Sequence, residues 1–151
     1  MPELYAVLSQ VQGPDGNGLL LPSDPALGGQ RGSATTTDAT PTKATGGFVP
    51  PDLQTTTIVA VIQARVGAAG SPPTDSWSCL LKGTCFRNGN TLTQVAAGTS
   101  SNVESTPGLT SIKAGWLVDT SVTPNAFVPQ VTGKAGTNIT WSWNSTAIFS
   151  I

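Results

Sequence analysis

The sequence predicts an all-β protein, an antiparallel β-sandwich or barrel preceded by an extended N-terminal arm. Three observations lead there. From Gln54 to the C-terminus, six or more stretches alternate apolar and polar residues with period two, and none carries a helical period. Clusters of Gly, Pro and Asn punctuate them at short intervals. Only 10% of the residues are charged, against roughly 25% in an average soluble domain. Thr, Ser, Asn and Gly stand in their place. Glu occurs only at Glu3 and Glu104, so the residues that usually coat exposed helices are scarce. A chain of 151 residues holds one domain with a proper core, and not comfortably two. The division read from the pattern is an N-terminal strand and arm over 1–47 and a sandwich over 48–151.

Residues 4–11 (LYAVLSQV) suit a short strand. The stretch from Gly13 to about Gly47 is rich in Gly and Pro, yet contains Leu19-Leu20-Leu21, which a plain solvated linker would not carry. It reads as an arm that takes its order from a neighbouring subunit, with a flexible linker as the plainer alternative. In 54–66, Ile58, Ala60, Ile62, Ala64 and Val66 share one face. Thr57, Val59, Val61, Gln63 and Arg65 share the other, so apolar residues occur on both. After a turn at 67–74, a second strand covers 76–87. Asn88-Gly89 is the dipeptide of a type I′ hairpin, and 91–96 returns. Residues 98–108 read as a polar loop. Strands follow at 112–119, where Ile112, Ala114, Trp116 and Val118 align, and at 126–131. The last strand, 138–151, places Ile139, Trp141, Trp143, Ala147, Phe149 and Ile151 on one side. Its other side is polar except for Ile148. Trp116, Trp141, Trp143 and Phe149 are therefore expected in the core, each indole burying on the order of 200 Å².

Charge and hydropathy narrow the function. The net charge is −1, and the basic residues Arg31, Lys43, Arg65, Lys82, Arg87, Lys113 and Lys134 are scattered. Nucleic-acid binding needs clustered positive charge to neutralise several phosphates together, so neither DNA nor RNA is an expected partner. No apolar run approaches the roughly 20 residues that span a bilayer, and no polybasic patch invites a membrane surface. The N-terminus, Met1 to Tyr5, lacks both a basic region and a continuous apolar region, so synthesis and folding in a cytoplasm are expected.

The chain contains no histidine, the side chain that most often moves protons near neutral pH. Its eight carboxylates are dispersed, and Asp15, Asp24, Asp38, Asp52 and Asp75 sit at turns, where Asp caps its own backbone. The many Ser and Thr have no evident base beside them. No catalytic residue, metal site or cofactor is expected. Cys79 and Cys85 lie six residues apart. On one strand that is about 20 Å, far beyond the roughly 7 Å a disulfide allows, so both read as buried thiols. Asp15-Gly-Asn17-Gly lacks the later glutamate of a calcium loop and reads as a turn. Asn138-Ile-Thr140 and Asn144-Ser-Thr146 match glycosylation acceptors, which a strand rich in Asn and Thr produces by chance.

Several segments together resemble a module of tailed-bacteriophage structural proteins, found at the ends of fibres and spikes and in small head-associated proteins. They are ATTTDATPT at 34–42, IVAVIQARV at 58–66, CLLKGTCFRNGNTLTQVAAG at 79–98, GWLVDT at 115–120 and VTGKAGTNITWSW at 131–143. The resemblance covers roughly residues 34–151. TGGFVPPDL at 45–53 departs from the usual spacing as an insertion. The resemblance implies a jelly-roll-like sandwich that associates as a homotrimer and carries no catalytic residues. It implies a virion protein whose partners are its own copies and the major capsid protein or another virion protein. Capsid decoration on the outer shell is the leading expectation. A head-fibre, tail-fibre or baseplate component is the alternative.

The residues point to self-association on their own account. Val59, Val61 and Ile148 are apolar at positions that alternation assigns to the outside, and a trimer interface would cover them. In the arm, Tyr5, Val7, Leu19, Leu20 and Leu21 are the candidate anchors on a capsid surface.

Overall fold

The computed structural model describes residues 30–151, apart from the side chains of Ala97, Thr146, Ala147, Phe149 and Ser150. Its strands are β1 (Arg31–Thr36), β2 (Pro41–Lys43), β3 (Thr55–Val66), β4 (Asp75–Asn88), β5 (Thr91–Ser105), β6 (Lys113–Asp119), β7 (Ala126–Thr132) and β8 (Ile139–Ser150). A single 3-10 turn, Pro107–Leu109, lies between β5 and β6, and the described residues contain no α-helix. The protein is all-β. One antiparallel sheet has the order β1-β8-β3-β4-β5 and a second the order β2-β7-β6.

The centre of the large sheet forms for the reason the pattern suggests. In β3, β-branched residues fill both faces, and Ile58, Ala60, Ile62 and Ala64 point inward and are buried. In β4 the inward set is Trp77, Cys79, Leu81, Gly83 and Cys85. The β3–β4 turn is closed from within, since Arg65 donates from Nη2 to the carbonyls of Ala68 (2.6 Å) and Ser71 (2.7 Å).

The sheets pack face to face through aromatic rings. Trp116 of β6 stacks on Phe127 of β7 with centroids 4.7 Å apart and meets Trp143 of β8 edge-on at 6.1 Å. Beneath Trp116 the large sheet presents Gly83 of β4 and Gly98 of β5, where no Cβ would fit beside the indole. At the other end Trp77 meets Trp141 edge-on at 5.7 Å. The Trp141 indole donates to Thr36 Oγ1 (2.9 Å), and that of Trp143 to the carbonyl of Thr45 (3.0 Å). A buried indole N–H usually finds such a partner; that of Trp116 has none among the described residues.

Four features differ from the sequence reading. The sandwich begins before residue 48: β1 pairs with β8 in one sheet and β2 with β7 in the other. Alternation missed them because β1 and β2 are edge strands with mostly exposed residues. The stretch 98–105 is strand, not loop, and completes β5. It too is an edge, hydrogen-bonded only to β4, so polar residues suit nearly every position. The β4–β5 hairpin turns on Gly89-Asn90 instead of Asn88-Gly89, because Asn88 pairs with Thr91. Only Gly89 has positive φ (59°), the pattern of a glycine-first type II′ turn. The fourth difference concerns β8. Ser145 opposes Ala60 and Ala147 opposes Val59, so Thr146 is an extra, bulged residue. One inserted residue reverses the facing of everything after it.

Candidate functional site

The candidate surface is the outward face of the five-stranded sheet. Register builds it in rows across β8, β3, β4 and β5. Residues directly opposite one another share a face. The first row is Ser142, Gln63, Ser78 and Glu104, with Ser33 of β1 at its end. The next is Asn144, Val61, Leu80 and Ser101, with Arg31 at its end. The third holds Val59 and Lys82, opposite Thr99. Val59, Val61 and Leu80 are half-buried, whereas Gln63, Lys82, Ser142 and Asn144 are exposed.

The face is hollowed into a trough. One part, of about 640 Å³, is bounded by Gln63, Arg65, Ser78, Glu104 and Ser142. A second, of about 560 Å³, is bounded by Arg31, Ser33, Val61, Gln63 and Asn144. Both are lined by Gln63 and Ser142, so the two hollows adjoin each other across β3 and β8. Val61 gives the second part an apolar patch and Gln63 a polar one, and Leu80 lies beside Val61 on the same face, next to the trough. Arg31, Arg65 and Lys82 lie on this face with Glu104 as the acidic counterpart.

The predicted site residues are distributed as follows. Tyr5, Val7, Leu19, Leu20 and Leu21 lie outside the described residues. Val59 and Val61 sit side by side on the outward face. Ile148 does not: it opposes Ile58 and packs against the core. The bulge at Thr146 is the reason, and Ile148 is removed from the interface set. Trp116, Trp141 and Trp143 are buried between the sheets. The same bulge sets Phe149 opposite Thr57, the outward register, while its side chain lies outside the described ones. Leu80 belongs beside Val61 and was not singled out from sequence. Splitting β4 by alternation, with Ser78, Leu80 and Lys82 on one side, would have found it.

The titratable groups elsewhere serve the fold. Asp119, at the end of β6, accepts from Lys43 Nζ (2.7 Å) and from the hydroxyl and backbone N–H of Ser121. The lysine hydrogen bond, then those from Ser121, hold its carboxyl at about 2, well below the usual range. This pair links β2 to β6 across β7. Burial pushes the thiols of Cys79 and Cys85 up to about 11, so neither is a thiolate at neutral pH. No group of three or more Cys, Asp or Glu converges on a metal-sized point among the described residues. Nor is any helix among them long and apolar enough to cross a membrane. Compared with known proteins, the sequence matches no family model and no curated protein.

Proposed function

We propose that this protein decorates the outer surface of a tailed-phage capsid, as a homotrimer of jelly-roll-like sandwiches that stabilises the shell. The observation that carries the reading is the outward face of the large sheet. Val59, Val61 and Leu80 form an apolar patch there, beside a polar trough and only half-covered within one copy. Contiguous apolar surface with a polar rim is what a protein-binding site presents. A closed ring of identical copies covers such a face without propagating into a filament. The resemblance of residues 34–151 to phage structural modules supplies the setting. The arm, through Tyr5, Val7 and Leu19–Leu21, is the segment that reaches the capsid or a neighbouring subunit.

Copy number in purified virions tests this. Hundreds of copies per particle fit decoration of the shell. A few to some tens would refute it and place the protein in a fibre, tail or baseplate. Sedimentation of the isolated protein at micromolar concentration tests the oligomer separately: a monomeric mass would refute the trimer.

A further inference from the structure

We infer that the N-terminal segment of one copy lies along the outward face of the next, with Leu19–Leu21 seated against Val61 and Leu80. This rests on the trimer reading and identifies what covers the face. Three observations lead to it.

The first is charge. All seven basic residues fall within 30–151, together with five of the eight acidic ones. The segment before Gln30 carries Glu3, Asp15 and Asp24 and neither Lys nor Arg, so it is purely acidic. The outward face carries Arg31, Arg65 and Lys82 against Glu104 among the described residues. Asp15 and Asp24 flank the three leucines, so an apolar centre between acidic ends meets an apolar patch between basic residues. Complementarity of this kind fixes register and partner.

The second is where the segment begins. Gln30 exchanges hydrogen bonds with Ser145: its carbonyl accepts from the Ser145 N–H, and its own N–H donates to Ser145 Oγ, both at 2.7 Å. The described chain therefore begins at the β1 margin of the large sheet, beside the Arg31–Asn144 end of the trough.

The third is reach. Strands lie about 4.8 Å apart, so Val61 and Leu80 are about 10 and 14 Å from β1. Leu21 precedes Gln30 by nine residues, about 28–30 Å when extended. Pro22 and Pro25 favour that extension. The leucines can thus reach about twice as far as their own trough, far enough for the trough of an adjacent copy. Passed head to tail around a ring, three such segments satisfy three faces.

The test is disulfide trapping in the full-length chain carrying Leu20→Cys and Val61→Cys, oxidised under mild conditions and resolved on a denaturing, non-reducing gel. The native cysteines are buried and do not compete. Covalent dimers and trimers, absent from either single variant, are the expected result. Adding Asp15→Asn and Asp24→Asn should lower their yield several-fold at low salt. A disulfide closing within one chain would overturn the inter-copy path. No disulfide from a protein that sediments as a trimer would overturn the placement while leaving the trimer intact. A monomeric mass would instead remove the trimer reading itself.

Discussion

Adding one methyl group at Gly83 tests the packing that joins the two sheets. A Cβ there would lie 2.7 Å from Nε1 of Trp116, closer still to its Cδ1, and 2.8 Å from Cε1 of Phe127. Carbon contacts settle at about 3.5–4.0 Å, so the indole must retreat by roughly 1 Å. It has nowhere to go. Phe127 stacks against one face at 4.7 Å, Trp143 meets it at 6.1 Å, and a Cβ on Gly98 would already be 2.7 Å from Cδ1. Overpacking of this kind costs about 1–3 kcal/mol and sometimes more. With the obstruction made by two rigid rings, we expect the upper end, about 3 kcal/mol, for Gly83→Ala. In a chain of this length each kcal/mol shifts Tm by about 2–4 °C, so calorimetry should show a fall of roughly 6–12 °C. Gly115→Ala is the control: it lies on β6 one residue from Trp116, yet its Cβ would have nothing within 4 Å. That variant should melt within about 2 °C of the parent, an effect of about 0.5 kcal/mol. If Gly83→Ala melted with the parent, or Gly115→Ala fell as far, the proposed contact between the sheets would be wrong.

Three further expectations follow from named contacts. Thr36→Val removes the acceptor of the buried Trp141 indole and should cost about 1–3 kcal/mol in urea unfolding; no loss would mean the indole finds another partner. Ile148→Asp forces a charge against the core and should lower stability by about 3 kcal/mol or prevent folding, whereas Val61→Asp on the outward face should cost about 1 kcal/mol. The reverse ranking would restore unbroken alternation in β8. Asp119 has a lowered pKa, so its contribution is present above the ordinary carboxylate range near pH 4 and fades as pH falls through about 2. Asp119→Asn should therefore be less stable than the parent at about pH 6 and converge with it near pH 2; a constant gap across that range would count against the Lys43 and Ser121 contacts as the cause.

How much of this was legible depended on how many neighbours each strand has. β3 and β4 lie in the middle of their sheet with one face on the core, so their side chains must alternate and their bounds could be read closely. β6, β7 and most of β8 carry the large rings that hold the sheets together, and Trp116, Trp141 and Trp143 declared themselves by the same period. The edge strands without large rings gave no such signal, whereas the edge strand β6 was betrayed by Trp116. A residue of β1, β2 or the outer half of β5 has solvent on one side and often on both faces, and its ladder hydrogen bonds come from backbone atoms that any sequence supplies. Polar text such as GTSSNVES is therefore compatible with loop and with edge strand alike, and only the pairing partner decides between them.

The make-up of the outward face was hidden for a different reason. Alternation counts residues, whereas facing is set by hydrogen-bond register, and the two part company at a bulge. Thr146 is the extra residue, and it comes immediately after Ser145, the last residue of β8 tied to Gln30. Up to that point β8 is held between β1 and β3. Beyond it, β3 is its only partner among the described residues. A bulge at such a boundary increases the local twist and lets the freed end of the strand turn with its single neighbour. It also exchanges which residue faces the core, bringing Ile148 inward to oppose Ile58. Ile148 thereby leaves the outward set, which keeps Val59, Val61 and Leu80 beside the trough and has Phe86 and, by register, Phe149 farther along the same face. The place where β1 releases β8, the place where the period breaks and the place where the N-terminal segment enters are thus one location. On the proposed path a segment arriving there meets Val61 and Leu80 close by, so its charge and its leucines, and not the strand pattern, are what the trapping experiment tests.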